Sequence, residues 1–75
     1  MKLVLDLHGL TEQEAYLEML EFFSALTNNC KSVTVIHGFR GGEVLKTMVQ
    51  NFTHHRIWSK QPGILNPGET TIFTR

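Results

Sequence analysis

Twice in this 75-residue chain a strand-like run ends at a histidine and a glycine, and an amphipathic segment follows. In residues 2 to 8, Leu3, Leu5 and Leu7 share one face and Lys2, Val4, Asp6 and His8 the other, before the turn at Gly9. Thr11 then opens a Thr-x-x-Glu capping box with Glu14. The spacing predicts a helix to about Thr27, with Ala15, Met19, Phe22, Phe23 and Leu26 on the inner stripe and Tyr16 and Leu20 widening it. Glu14, Glu18 and Glu21 lie opposite, with Leu17 among them. Asn28 and Asn29 read as a helix stop, after which the β-branched run Ser32 to Ile36 leads into His37 and Gly38. The loop Gly38-Phe39-Arg40-Gly41-Gly42 opens a second helix near 42 to 53, its inner face formed by Leu45, Met48, Val49 and Phe52. Two strands joined by a helix imply a right-handed parallel crossover.

A third strand is expected from Arg56 to Gln61, a loop with two prolines from Pro62 to Gly68, and a closing antiparallel strand from Thr70 to Thr74. The order is βαβαββ. Two helices cannot cover both faces of four strands, so the expected architecture is an α/β (α+β) two-layer sandwich. It has a four-stranded mixed sheet, two helices on one face, and the other face open to solvent. A chain of this length has room for one such domain, over residues 1 to 75.

Composition excludes several classes of function. No apolar stretch approaches the roughly 20 residues of a membrane span, and the N-terminus lacks a signal-peptide pattern, which makes the cytoplasm the expected compartment. The single cysteine, Cys30, leaves no Cys-x-x-Cys pair or thiolate cluster. Net charge is zero, but four of the seven acids, Glu12, Glu14, Glu18 and Glu21, fall in the first helix. Outside that segment three acids face seven bases, enough for a face that holds phosphate.

In parallel units functional groups gather at the carboxyl ends of strands. Asp6, His8 and His37 lie at two such ends and are expected to converge. A carboxylate beside an imidazole fixes its tautomer, which suits an acid–base group able to deprotonate a ribose 2′-hydroxyl or protonate a leaving oxygen. The plain alternative has Asp6 capping the turn and His8 on the surface. The glycine-rich loop from Gly38 to Gly42 aims backbone N–H groups and a helix N-terminus at an anion, with Arg40 adding a fork of donors. It is neither a Walker loop nor Gly-x-Gly-x-x-Gly. Alternation along the third strand would put Trp58 on one face with Arg56 and Lys60, a base-stacking residue between two phosphate contacts; core or edge packing is the competing role. No His-x-x-x-His or His-Glu-x-x-His occurs, and His54 and His55 are adjacent. No cofactor is expected, with a divalent metal on Asp6, His8 and His37 as the alternative.

Leu5-Asp6-Leu7-His8-Gly9-Leu10-Thr11, the acidic helix, and Val35-Ile36-His37-Gly38 before a glycine-rich helix start together resemble the Smr (small MutS-related) domain. The resemblance extends to the Pro67-Gly68 loop. It implies a sandwich similar to the C-terminal domain of bacterial translation initiation factor 3. It also implies nucleic-acid binding and endonuclease activity, including DNA nicking and cleavage of messenger RNA at stalled or collided ribosomes. The family's Asp-x-His motif falls on Asp6 and His8, and its His-Gly-x-Gly motif on His37 and Gly38. Arg40 stands where the family has its second glycine, with Gly41 next to it. The expected function is therefore acid–base cleavage of phosphodiesters, RNA preferred over DNA and the ribosome a candidate partner. Asp6, His8 and His37 are its catalytic group, and Gly9, Gly38, Arg40, Gly41, Gly42, Arg56, Trp58 and Lys60 its phosphate and nucleic-acid contacts. The alternative is a non-catalytic nucleic-acid or ribosome-binding module of the same fold.

Overall fold

A computed structural model of the chain describes residues 2–38 and 43–75, with the side chain of Lys2 excepted. The elements are β1 (Lys2–Asp6), α1 (Glu12–Ser24), β2 (Ser32–Ile36), α2 (Glu43–Asn51), β3 (Ile57–Pro62) and β4 (Glu69–Thr74). Among the described residues they form one mixed sheet in the order β1-β2-β4-β3. β1 and β2 are parallel, Leu3 opposite Val33 and Asp6 opposite Ile36, while β4 runs antiparallel to both β2 and β3. The βαβαββ sandwich read from the sequence is the architecture found.

Period-two alternation decides what each strand buries. Leu7, Val33, Val35 and Ile72 face the helices and pack with Ala15, Met19 and Phe23 of α1 and Leu45, Met48 and Val49 of α2. Leu3, Leu5, Phe22, Leu26 and Ile57 close the margins of this cluster. The opposite sheet face has no covering layer among the described residues, and Val4 and Trp58 are exposed on it. Tyr16 and Leu20, expected to widen the α1 stripe, are exposed, although the Tyr16 ring meets Phe52 edge-on with centroids 5.6 Å apart.

Thr11 caps α1 as a full capping box: its hydroxyl accepts from Glu14 N, and the Glu14 carboxylate accepts from Thr11 N. The helix stops at Ser24, short of the expected Thr27. The carbonyls of the segment that follows it are satisfied from a distance. Arg56 donates from Nη1 to Leu26 O at 2.7 Å and from Nη2 to Thr27 O at 3.0 Å, while its Nε reaches Arg75 O at 2.6 Å. Lys60 does the same for α2, whose last turn has no base of its own, donating to Gln50 O at 2.8 Å and to Phe52 O.

This corrects the expected basic, aromatic face on the third strand. Between Ile57 and Ser59 the pairing with β4 slips by one, so Trp58 is the extra residue of a β-bulge. Beyond it the faces exchange. Ile57 and Lys60, three apart, both turn to the helical layer, and Trp58 stands 70% exposed without a flanking cation. Burial also holds the Lys60 amine below the usual lysine range.

Arg56→Lys should lower stability by about 1–3 kcal/mol, because an ammonium cannot reproduce a fork that reaches three carbonyls. Urea denaturation measures the loss. The salt dependence of nucleic-acid binding should stay as in the parent chain.

Candidate functional site

β1 ends because Asp6 turns back on the chain that follows it. One carboxylate oxygen, Oδ1, accepts from the backbone N of His8 at 3.0 Å and from His8 Nδ1 at 2.7 Å. Leu7 N still reaches Ile36 O at 2.7 Å, and Gly9 then takes a left-handed turn at φ +86°. The result is a five-atom-wide clamp in which both ends of one residue are held by its neighbour's carboxylate. Because the carboxylate only accepts, Nδ1 carries the proton and Nε2 is the free nitrogen of the neutral ring. The His8 side chain is 69% exposed and that of Asp6 50%. The hydrogen bond from the His8 ring, seconded by the one from its backbone, holds the Asp6 carboxyl below the usual carboxylate range.

His37 does not join them. Asp6 lies opposite Ile36, so the parallel register continues with Leu7 beside His37 and His8 beside Gly38. His37 shares the helix-facing side with Val33 and Val35 and is 1% exposed. A catalytic trio, and a metal held by Asp6, His8 and His37, both require a convergence that this alternation prevents. Among the described residues no group of three His, Cys, Asp or Glu side chains is placed to hold a metal ion.

Instead His37 anchors a buried chain of hydrogen bonds. Its Nδ1 lies 2.9 Å from Gly38 O, which can only accept, so Nδ1 is the protonated nitrogen. Nε2 then accepts from the Thr70 hydroxyl at 2.9 Å, and that oxygen in turn accepts from Gln50 Nε2 at 3.2 Å. Every proton in the series has a place. Thr70 and Gln50 carry no local sequence signal of this role, since they lie 33 and 13 positions from His37.

Gly38 is the joint between the two halves of the site. Its φ of +88° favours glycine, and a Cβ there would lie 3.7 Å from the His8 Cβ. The carbonyl of Gly68 accepts from both His37 N at 2.9 Å and Gly38 N at 3.0 Å. Gly68 itself is buried against Gly38, where a Cβ would come within 3.3 Å of backbone carbon. This packing gives the Pro67-Gly68 loop a reason to contain glycine.

The other expected contacts are dispersed. Arg40, Gly41 and Gly42 lie outside the described residues. Arg56 and Lys60 tie down helix ends, and Trp58 sits at the start of β3, the corner of the sheet diagonal to Asp6 and His8. His54 and His55 stack with ring centroids 4.5 Å apart at that same end of β3, and Nδ1 of His54 accepts from Arg56 N. What the fold assembles at one rim is Asp6, His8, Gly9, Gly38, Gly68 and Glu69. No helix of the described residues is long and apolar enough to cross a membrane.

A family model, the Smr domain, matches residues 5–66, from the end of β1 to the turn before β4. The chain belongs to the Smr domain family. Smr domains are nucleases or nucleic-acid-binding domains, which places this chain in nucleic-acid biochemistry at that level. No curated protein and no solved structure matches the chain. Within the matched residues, Asp6 and His8 form the exposed pair, and His37-Gly38 contributes a buried histidine and a left-handed turn.

Two measurements check this geometry. In a carboxyl carbon NMR titration, Asp6 should titrate below ordinary aspartates, and His8→Ala should return it toward them; since the folded value is depressed, the pairing is complete above the ordinary range and is lost as pH falls through the depressed value. For His37, nitrogen NMR should show a protonated Nδ1 and an unprotonated Nε2. Thr70→Val should cost about 1–3 kcal/mol and disturb that tautomer, whereas Thr70→Ser should keep it.

Proposed function

We propose that this Smr domain is an endonuclease of RNA in which His8 is the acid–base group and Asp6 orients it. The observation that carries this reading is the double hydrogen bond from His8 to one oxygen of Asp6, at 3.0 and 2.7 Å on an exposed rim. It fixes the ring in the tautomer whose free Nε2 can take a proton. RNA is preferred because its 2′-hydroxyl is an internal nucleophile. His8 Nε2 removes the 2′ proton, the 2′ oxygen bonds to phosphorus, the bond to the 5′ oxygen breaks, and the proton passes to that leaving oxygen. The products are a 2′,3′-cyclic phosphate and a 5′-hydroxyl. No metal is required by this route.

The scissile phosphate is assigned to the turn beside His8, against Gly9 and Gly38 and toward the start of α2, where Arg40, Gly41 and Gly42 would supply donors. His37 is a positioning residue in this scheme: through the Gly38 carbonyl it sets the backbone on which His8 rests. Trp58, at the far corner, offers a stacking surface to a longer strand. The proposed partners are RNA and ribosome-bound messenger, and the proposed compartment is the cytoplasm, where a buried free thiol such as Cys30 stays reduced. A second reading, a nucleic-acid or ribosome-binding module without catalysis, is favoured by one observation, Arg40 at the place of the family's second glycine.

Labelled single-stranded RNA, duplex DNA and supercoiled plasmid, each incubated with the parent chain and with His8→Ala, with and without EDTA, separate these readings. Cleavage of RNA to cyclic phosphate ends, unaffected by EDTA and reduced about 10²- to 10⁴-fold in His8→Ala, is the expected outcome. Cleavage undiminished in His8→Ala would sink the acid–base role. Binding of all three substrates without cleavage would favour the module.

A further inference from the structure

A groove of about 450 Å³ opens on the same rim as His8, between the end of β3 and the start of β4. Gln61 and Thr71, partners across the two strands, form its floor with Glu69, while Pro62, Ile64, Leu65 and Asn66 form its walls. Ile64 and Leu65 are 85% and 99% exposed. They are held there by a closed turn: Gly63 N donates to Glu69 O, Glu69 N to Asn66 O, and Gly68 N to Asn66 Oδ1. Two aliphatic side chains fixed outward stay in water without adding to the core. That arrangement suits a flat apolar ligand.

The polar floor says which one. Asn66 Nδ2 donates to Glu69 Oε2 at 3.0 Å, which aims the carboxylate and leaves Oε1 and the second lone pair of Oε2 to accept. A carboxylate repels the phosphates of RNA and attracts only base edges that carry N–H groups. Guanine alone presents two adjacent donors of this kind on its pairing edge, N1–H and N2–H₂. Its O6 then needs a donor, and the Gln61 amide and Thr71 hydroxyl on the floor can supply one. We infer that the groove is a subsite for an unpaired guanine base beside the phosphate handled by His8, an assignment that rests on the RNA reading above.

Placement agrees with chemistry. Asp6, Ile36 and Glu69 lie side by side across β1, β2 and β4 on the open face. Two strand spacings put Glu69 about 10 Å from Asp6, so one nucleotide can bridge the groove and the clamp. Gly68 belongs to the same turn and packs on Gly38, which makes the two halves one surface.

The four nucleoside 5′-monophosphates, titrated into nitrogen-labelled protein, test the subsite without any cleavage. Guanosine monophosphate should shift the amides of Gln61, Leu65 and Thr71 and bind more tightly than the other three; Glu69→Gln should weaken it roughly tenfold and erase the difference. Equal binding of all four, or shifts confined to the His8–Gly38 end, would overturn the subsite. In RNA, cleavage next to guanosine should be preferred by the parent chain and not by Glu69→Gln. Guanosine-selective shifts in a protein that cleaves nothing would uphold the subsite while removing the nuclease reading; cleavage without base preference would do the reverse.

Discussion

The parallel register of β1 on β2 decides the chemistry of this molecule. Asp6 stands opposite Ile36, so one step later Leu7 and His37 both turn inward, and one step after that His8 emerges beside Gly38. A slip of one residue would bury His8 and expose the leucines. The fold resists that slip because Leu3 and Leu5 of β1, with Leu7 just after it, face the same cluster as Val33, Val35 and Ile72, and because Gly68 holds His37 and Gly38 through a single carbonyl. The two histidines that look equivalent along the chain therefore do opposite things. One presents a free nitrogen to solvent; the other has both nitrogens satisfied and fixes a backbone carbonyl.

Cations are divided in a similar way between surface and framework. Arg56, just before β3, and Lys60 within it reach across to the chain leaving α1 and to the carboxyl end of α2, where neither helix supplies a base in its last turn. Their charge answers helix dipoles and the carbonyls at and just beyond the helix ends. The positive balance outside α1 is thus a poor guide to where an anion binds, and the rim built from Asp6, His8, Gly38 and Gly68 depends on backbone shape more than on fixed charge.

Much of this was legible beforehand. The capping box at Thr11, the inner stripe Ala15, Met19 and Phe23, the strand Ser32–Ile36 and the inner face of α2 follow from short-range periodicity, and all are found. The Asp6–His8 contact was legible too, since residues two apart on a strand share a side. What local pattern could not reveal was anything set by a partner far along the chain. The bulge at Trp58 depends on the pairing of β3 with β4, and it reverses the side on which Lys60 falls. The burial of His37 was within reach, because Val33 and Val35 already mark its side as inner, but the repeated His-Gly suggested a symmetry that one residue of register breaks. Thr70 and Gln50, which complete the histidine's hydrogen bonds, come from other elements altogether.

The bulge in β3 has a consequence for association between chains. β3 and β1 are the two margins of the sheet. β3 breaks its own regularity at Trp58, folds Lys60 inward and finishes at Pro62, which lacks an N–H, so it is a poor template for strand addition. β1 carries none of these devices over Lys2–Asp6. An extended segment that adds to this sheet will therefore line up along β1, and its end will arrive at Asp6 and His8.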